Sequence, residues 1–174
     1  MHGIARGRQI YMMQPAQMTA MKSMFFFNTA IGKISIAEDG QAITSLYLHQ
    51  DMPPAGAIVQ KTGLLEEAEQ QLESYLSGKR RAFDLPLDPQ GSEFMRAVWR
   101  SLQSIPYGQT RSYRDVAESL NNPRACRAVG AACRKNPIPV FIPCHRVISQ
   151  DGNLTGYRGG LSVKEHLLKL EARI

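Results

Sequence analysis

The sequence predicts a mixed α/β protein of two small domains, the first with strands and one helix and the second with a helix-turn-helix. Apolar and polar residues alternate between positions 25 and 48, which indicates β-strands. Residues 63–79 carry apolar residues at helical spacing. Two short helical patterns between positions 112 and 136 are joined by "NNP", as in a helix-turn-helix. A chain of 174 residues is long enough to bury the core of such a fold.

The strands of the first half are expected to form a hairpin. The segments "KISIA" and "AITSLYL" are separated by "EDGQ", a glycine-containing connection typical of a hairpin. A helix follows over 63–79, and Gly78 lies where a helix C-cap is expected. The prolines and glycine of "RRAFDLPLDPQG" indicate a domain boundary. We therefore expect domains at 22–88 and 89–174, preceded by a disordered tail at 1–21.

Three helices are predicted from the first part of the second domain. Ser92 is the expected N-cap of "EFMRAVWRSLQSI", which has an apolar stripe. The segment "IPYGQTRSY" ends that helix, and "SYRDVAESL" and "RACRAVGAACRKN" follow as the helix-turn-helix pair. Pro123 is expected in the first turn of the second of these helices, and Pro137 cannot continue it.

The positive charge is concentrated in the second domain. Residues 1–90 contain 8 Lys/Arg and 9 Asp/Glu, a net charge of −1, whereas residues 91–174 contain 13 and 6, a net charge of +7. This asymmetry indicates either nucleic-acid binding or a merely solvated basic surface. No run approaches the roughly 18 apolar residues of a membrane span, so no membrane partner is expected. Three cysteines are too few for a secreted disulfide framework, which favours the cytoplasm.

The second helix of the pair consists mainly of small residues. Two interpretations are open, because a small-faced helix either packs closely against another helix or enters the minor groove of DNA, which is only about 6 Å wide. Arg127 is the exception in the middle of the helix. It is either a wedge inserted into a base stack or a solvated cation.

Cys144, in "IPVFIPCHRVIS", can be a nucleophile, a metal ligand or a small buried apolar residue. A zinc ion shared by Cys126 and Cys133 is excluded, since they lie about 10 Å apart along a helix and the sulfurs around one zinc lie within about 4 Å of one another. A nucleophilic cysteine needs a base, and His145 is adjacent in sequence. Because successive side chains on a strand point to opposite faces, this pair requires a sharp turn or a bridging water.

A histidine that acts as a base needs an acid to fix its tautomer. Asp151, Glu165 and Glu171 are the downstream candidates, and the residues alone do not select among them.

The motifs of the second half together resemble the O6-alkylguanine-DNA alkyltransferases. The resemblance runs from Phe94 through "YGQTRSY", "NNPRACRAVGAACRKNPIP", "PCHRV", "GYRGG" and "KEHLL" to Glu171. It implies an N-terminal RNase H-like α/β domain and a C-terminal winged-helix domain. It also implies DNA repair by single-turnover, irreversible transfer of an alkyl group from guanine O6, and from thymine O4 as a further substrate, in double-stranded DNA to Cys144. A non-catalytic binder of alkylated DNA is the alternative.

The resemblance also implies roles for individual residues. His145 is the expected base, acting through a water and oriented by Glu171, and Tyr113 is the expected donor to guanine N3. Arg127 fills the gap left by the flipped nucleotide, and Asn136 ties the recognition helix to the cysteine turn. The remaining DNA-binding residues are Cys126, Ala128, Gly130 and Arg134, beside Tyr113 and Arg127, and the substrate pocket consists of Cys133, Val147, Tyr157 and Arg158.

Some positions depart from the family pattern. Cys126 replaces a usual alanine, Arg158 a small residue and His166 a frequent tryptophan. The first half has only His2 and His49 where some relatives have a Cys/His zinc site, so neither a metal nor a cofactor is expected. The protein is expected to act as a monomer in the cytoplasm, associated with the nucleoid when it acts on DNA.

Overall fold

A computed structural model of the protein describes residues 22–49 and 56–172, and the predicted tail at 1–21 lies outside them. The first half of the chain is rich in strands, and the second half is rich in helices. The elements are β1 (Ser23–Thr29), β2 (Gly32–Glu38), β3 (Ile43–Tyr47), β4 (Ile58–Val59), α1 (Gly63–Leu76), α2 (Glu93–Gln103), β5 (Arg111–Ser112), α3 (Tyr113–Ser119), α4 (Cys126–Arg134), a 3-10 turn (Cys144–Arg146), β6 (Val147–Ile148) and α5 (Leu161–Glu171).

The first half forms a four-stranded sheet in the order β3-β2-β1-β4. The predicted hairpin is confirmed, since β2 and β3 pair antiparallel with Glu38 opposite Ile43. Gly40 lies in the connection between them and has a φ of +93, a backbone conformation that residues with a side chain rarely adopt. The sheet also contains β1, antiparallel to β2, and the short parallel strand β4. β1 and β2 are neighbours in sequence, with Thr29 opposite Gly32, whereas β4 pairs with a strand distant in sequence, with Ile58 opposite Ser23, and the alternating pattern does not identify that pairing.

Helix α1 covers this sheet and ends close to the predicted position. The Thr62 side chain accepts a hydrogen bond from the Leu65 N–H and so caps the N-terminus. At the other end, Gly78 takes a left-handed φ of +75 and donates to the Tyr75 carbonyl. The buried face of α1 includes Leu72 and Tyr75, both 0% exposed.

The helix-turn-helix is formed by α3 and α4. Ser92 caps α2 as expected, by accepting from the Met95 N–H, and Ser112 and Asp115 form a capping box at the start of α3. The prediction that Pro123 lies in the first turn of α4 was wrong, because the helix begins three residues later, at Cys126. The Ala125 N–H bonds back to the Asn122 carbonyl, so Pro123 lies inside a turn that precedes the helix.

The two halves share one core, and the predicted fold class is confirmed. The Leu46 N–H on β3 donates to the Pro137 carbonyl at 2.8 Å. The rings of Phe83 and Phe141 meet edge to face, with centroids 4.7 Å apart. The second half also contains the two-residue parallel pair of β5 and β6. Within residues 22–49 and 56–172, no helix has the length and apolar character that crossing a membrane requires.

Candidate active site

Cys144 opens the 3-10 turn and is 5% exposed. Its N–H donates to the Ile142 carbonyl at 2.8 Å. The preceding loop is anchored by Asn136, whose Nδ2 donates to the same carbonyl at 2.9 Å and whose Oδ1 accepts from the Ile138 N–H at 3.0 Å. Val140, in this loop, has φ +74, a strained conformation for a β-branched residue. The buried hydrogen bonds of Asn136 hold this strained loop against the end of α4.

His145 is fully buried next to Glu171, at 0% and 1% exposure. The His145 Nε2 atom lies 2.8 Å from the Glu171 Oε1 atom. His145 Nδ1 is also buried and has no hydrogen-bond partner among the described residues. Of the three candidate acids, Glu171 is the one that the structure places beside His145. Asp151 is exposed and bonds to its loop neighbours, and Glu165 pairs with Lys169 on the surface of α5.

The Glu171 carboxylate accepts several hydrogen bonds besides that of His145. Arg146 contacts both oxygens, with Nε 3.0 Å from Oε2 and Nη2 3.0 Å from Oε1. The Gly108 N–H donates to Oε2 at 2.9 Å, and the Tyr75 hydroxyl donates to Oε1. Burial would raise the pKa of Glu171, but the hydrogen bonds from His145, Arg146 and Tyr75 outweigh it and lower the pKa to about 2. Glu171 is therefore a permanent anion beside His145.

Burial also determines the protonation of His145. It lowers the pKa of this imidazole, and the opposing hydrogen bond and charge of Glu171 do not fully compensate. A neutral imidazole that donates Nε2–H to Glu171 has its lone pair on Nδ1. The arrangement leaves that nitrogen able to accept a proton.

Two polar neighbours oppose the effect of burial on the Cys144 thiol. Burial raises the pKa of Cys144, whereas a hydrogen bond from the Asn136 side chain and the positive charge of Lys164 act to lower it. Lys164 is 1% exposed, and its Nζ donates to the Val147 carbonyl at 2.6 Å and to the Thr155 carbonyl at 3.0 Å. The thiol thus combines a buried position with nearby groups that favour its ionised form.

A groove runs along the exposed side of α4, with a volume of about 480 Å³. We call it the α4 groove, and its lining residues are Tyr113, Cys126, Arg127, Gly130, Arg134, Thr155 and Gly156. The Tyr113 ring lies against Gly130, where a Cβ would be 3.7 Å from the ring. Of the predicted DNA-binding residues, Arg127, Ala128 and Arg134 are exposed. Small residues of α4 such as Ala128 and Gly130 therefore lie on an accessible face, while Val129, Ala132 and Cys133 pack into the core.

The four predicted pocket residues are not among those that line this groove. Cys133 and Val147 are buried, and Tyr157 and Arg158 are half-buried. Arg158 Nη1 donates to the Asn136 carbonyl at 3.2 Å. The Tyr157 hydroxyl is buried and has no hydrogen-bond partner among residues 22–49 and 56–172. The same described residues contain no group of three or more His, Cys, Asp or Glu side chains that could hold a metal ion.

Sequence reasoning missed four polar residues around the site. Arg146 and Lys164 belong to the motifs "PCHRV" and "KEHLL", so the sequence identified the motifs but did not indicate a role for these two residues. Thr155 lies next to Tyr113, with hydroxyl oxygens 3.1 Å apart. Tyr75 had no sequence signal beyond its apolar helical position, since it lies 96 residues from Glu171 in the chain.

Family profiles match most of the chain. The profile described as "6-O-methylguanine DNA methyltransferase, ribonuclease-like domain" matches residues 24–89. The profile described as "6-O-methylguanine DNA methyltransferase, DNA binding domain" matches residues 93–173.

Curated relatives and solved structures agree with these profiles. A methylated-DNA–protein-cysteine methyltransferase of Methanosarcina acetivorans is 43% identical over 83% of this chain and 95% of its own length. The constitutive methylated-DNA–protein-cysteine methyltransferase of Bacillus subtilis is 44% identical over 82% and 91%. The crystal structure of the O6-methylguanine methyltransferase of Mycobacterium tuberculosis aligns with a TM-score of 0.81, 40% identity and coverage of 87% and 93%. A structure of that organism's OGT in complex with DNA aligns with a TM-score of 0.81, 38% identity and coverage of 86% and 92%.

Proposed function

We propose, from the premise that this chain belongs to the methylated-DNA–protein-cysteine methyltransferase family, that it repairs alkylated DNA by direct reversal of the damage. The alkyl group moves from O6 of guanine in duplex DNA to Sγ of Cys144, and the guanine is restored. One observation carries the assignment of the acceptor. A buried cysteine begins the turn whose next residue is a histidine held by a carboxylate, with its second nitrogen unpartnered among the described residues.

The proposed chemistry is a direct displacement at the alkyl carbon. The Cys144 sulfur attacks this carbon, so a C–S bond forms while the bond between the carbon and guanine O6 breaks. The electron pair of the broken bond stays on the guanine, which takes up a proton from solvent water at N1. The thiol proton leaves through a water to His145 Nδ1, because Glu171 already occupies Nε2. A thioether and an unmodified guanine are the products.

The leaving guanine carries developing negative charge, and Tyr113 is placed to stabilise it. We assign its hydroxyl as the donor to guanine N3, since the Tyr113 ring borders the α4 groove beside Gly130. The pKa of Tyr113 is raised by burial, so the hydroxyl retains its proton at neutral pH.

Access to Cys144 requires that the damaged nucleotide leave the base stack. The thiol is 5% exposed, and a base inside a duplex cannot reach it. We assign the exposed face of α4 to the minor groove, where Ala128 and Gly130 permit close approach. Arg127 fills the space of the extruded nucleotide. The duplex phosphates supply affinity that depends on salt and hardly on sequence.

The reaction ends after one turnover. The thioether sulfur is neutral, and its alkyl group has no leaving group as good as the starting guanine. Neither Cys126 nor Cys133 is assigned a role in removing it. We further propose that the protein acts as a monomer, in the cytoplasm and on the nucleoid, where its damaged substrate and reduced thiols occur together.

Mass spectrometry after incubation with a duplex containing O6-methylguanine tests this proposal. We expect one added methyl group on the peptide that contains Cys144, and no addition in Cys144→Ala. A duplex containing O4-methylthymine tests the second substrate in the same way. Unmodified wild-type protein that still prefers the damaged duplex would instead identify a non-catalytic binder.

A further inference from the structure

Tyr75 brings a polar group from the N-terminal half into the site of Cys144. It lies on α1, is 0% exposed, and donates its hydroxyl proton to Oε1 of Glu171. The same hydroxyl oxygen is 3.3 Å from Nε2 of His145. No hydroxyl at this position is needed for packing alone, because a phenylalanine ring fills nearly the same volume. The contribution of the hydroxyl is therefore its hydrogen bond to Glu171 and not the volume it fills.

The Glu171 oxygen that binds His145 is saturated with donors. Oε1 accepts from the Tyr75 hydroxyl, from His145 Nε2 at 2.8 Å and from Arg146 Nη2 at 3.0 Å. A carboxylate oxygen has only about two lone-pair directions, so each donor limits how strongly the others are held. The hydrogen bonds from Tyr75 and Arg146 partly neutralise the negative charge of Glu171, so His145 experiences less of it.

We infer that Tyr75 is a positioning residue of the alkyl transfer, which fixes the Glu171 carboxylate and keeps His145 a neutral base. The inference rests on the proposed function, because it assigns His145 the role of proton acceptor. It also makes the second domain incomplete without the first, since the hydroxyl on α1 completes the set of donors around Glu171.

The sign of the effect follows from the groups that face His145. The charged groups are Glu171 and Lys164 from α5 and Arg146 from the same turn, and Tyr75 and Cys144 are the neutral titratable neighbours. Helix α2 also packs against the turn, and its buried side chains are the uncharged Val98, Trp99 and Leu102. Removing the Tyr75 hydroxyl leaves more negative charge for the imidazole, so the pKa of His145 rises. His145 is then protonated, and inactive as a base, at a higher pH.

The test compares Tyr75→Phe with Tyr107→Phe. Tyr107 is a matched control, because its ring meets that of Tyr75 edge to face while its hydroxyl donates to the Leu170 carbonyl and not to Glu171. The single-turnover rate of methyl transfer from an O6-methylguanine duplex is measured from about pH 5 to pH 9, which brackets histidine titration. We expect the acid limb of Tyr75→Phe to move up by about half a pH unit, which is an approximately threefold loss on the acid side of that limb with little loss at pH 8. Tyr107→Phe keeps the wild-type profile.

Other outcomes separate the possible failures. Equal loss at every pH, or an unshifted profile, overturns the role of Tyr75 while leaving the proposed function intact. Absence of transfer by the wild type instead refutes the proposed function. Nitrogen NMR of wild-type protein labelled at histidine keeps the inference testable if Tyr75→Phe does not fold. We expect a neutral Nε2–H tautomer for His145 and a slowly exchanging Tyr75 hydroxyl proton, and an exposed, rapidly exchanging hydroxyl contradicts the inference.

Discussion

The hydroxyl oxygens of Tyr113 and Thr155 lie 3.1 Å apart at the border of the α4 groove. A tyrosine hydroxyl has one proton, and if Thr155 donates to its oxygen, that proton is free to point into the groove. The Thr155 backbone is held in turn, because its carbonyl accepts from Lys164 Nζ at 3.0 Å. With Thr155 as the donor, this pair of hydroxyls aims the proposed donor to guanine N3 before the base arrives.

Replacing Thr155 by valine removes this hydroxyl with little change in shape. We expect methyl transfer from duplex DNA to slow by about tenfold, which corresponds to the roughly 1.4 kcal/mol of one ordinary hydrogen bond. Thr155→Ser should retain the wild-type rate. In a Tyr113→Phe background the valine substitution should have no further effect. If the rate falls equally in both backgrounds, Thr155 does not act through Tyr113.

Arg127 offers a test of base flipping that separates DNA distortion from chemistry. The residue is exposed on α4 and lines the groove, away from the buried Cys144. For Arg127→Ala we expect at least tenfold slower transfer from duplex DNA, since unstacking a base costs a few kcal/mol that the wedge offsets. The reaction with free O6-benzylguanine should be unchanged. Arg100→Ala, which removes an exposed arginine of α2 outside the groove, is the control. Equal loss on both substrates contradicts the wedge role.

Local signals in the sequence were sufficient for much of the fold. The alternating pattern and glycine-containing connection identified the hairpin, and Ser92 identified the start of α2. These features depend on residues within a few positions of one another, so their physical causes are visible in the chain. The start of α4 was predicted too early, because proline is favoured both in the first turn of a helix and in a tight turn outside a helix. The short connection before α4 favoured the turn.

The site depended on contacts that local patterns do not contain. The resemblance selected Glu171, and the structure adds the reason that His145 can face it, namely the 3-10 turn that begins at Cys144. No spacing rule joins Tyr75 to Glu171, because only the packing of α1 against the second half brings them together. Buried polar contacts between elements distant in sequence are therefore the part of the site that the sequence does not reveal.

Glu171 links the site to stability at low pH. Its pKa of about 2 in the folded protein lies below the ordinary value of 4.5, so the ionised carboxylate stabilises the fold fully above that ordinary value. This contribution is lost as the pH falls toward 2. For a side chain that is 1% exposed, the difference corresponds to about 3 kcal/mol. Glu171→Gln should therefore be destabilised strongly at neutral pH and less at low pH.

Urea denaturation at neutral pH and in acid measures this difference. Glu165→Gln is the matched control, since Glu165 lies on the same helix but is exposed and paired with Lys169. Its effect should stay below about 0.5 kcal/mol at either pH. A destabilisation of Glu171→Gln that does not shrink in acid would show that lost packing, rather than lost charge, is responsible.

Lys164 places a buried positive charge near the acceptor thiol and tethers the loop that bears Thr155. Its charge acts to lower the pKa of Cys144, so Lys164→Met should raise that pKa further. We expect thiolate formation, followed by ultraviolet absorbance in a Cys126→Ser, Cys133→Ser background, to require a higher pH. Methyl transfer should slow by about tenfold if the pKa rises by about one unit, because the ionised fraction falls in proportion. Lys169→Met, on the exposed side of the same helix, should change neither quantity. An unshifted thiol titration with slowed transfer would assign Lys164 to the loop alone, through its bonds to the Val147 and Thr155 carbonyls.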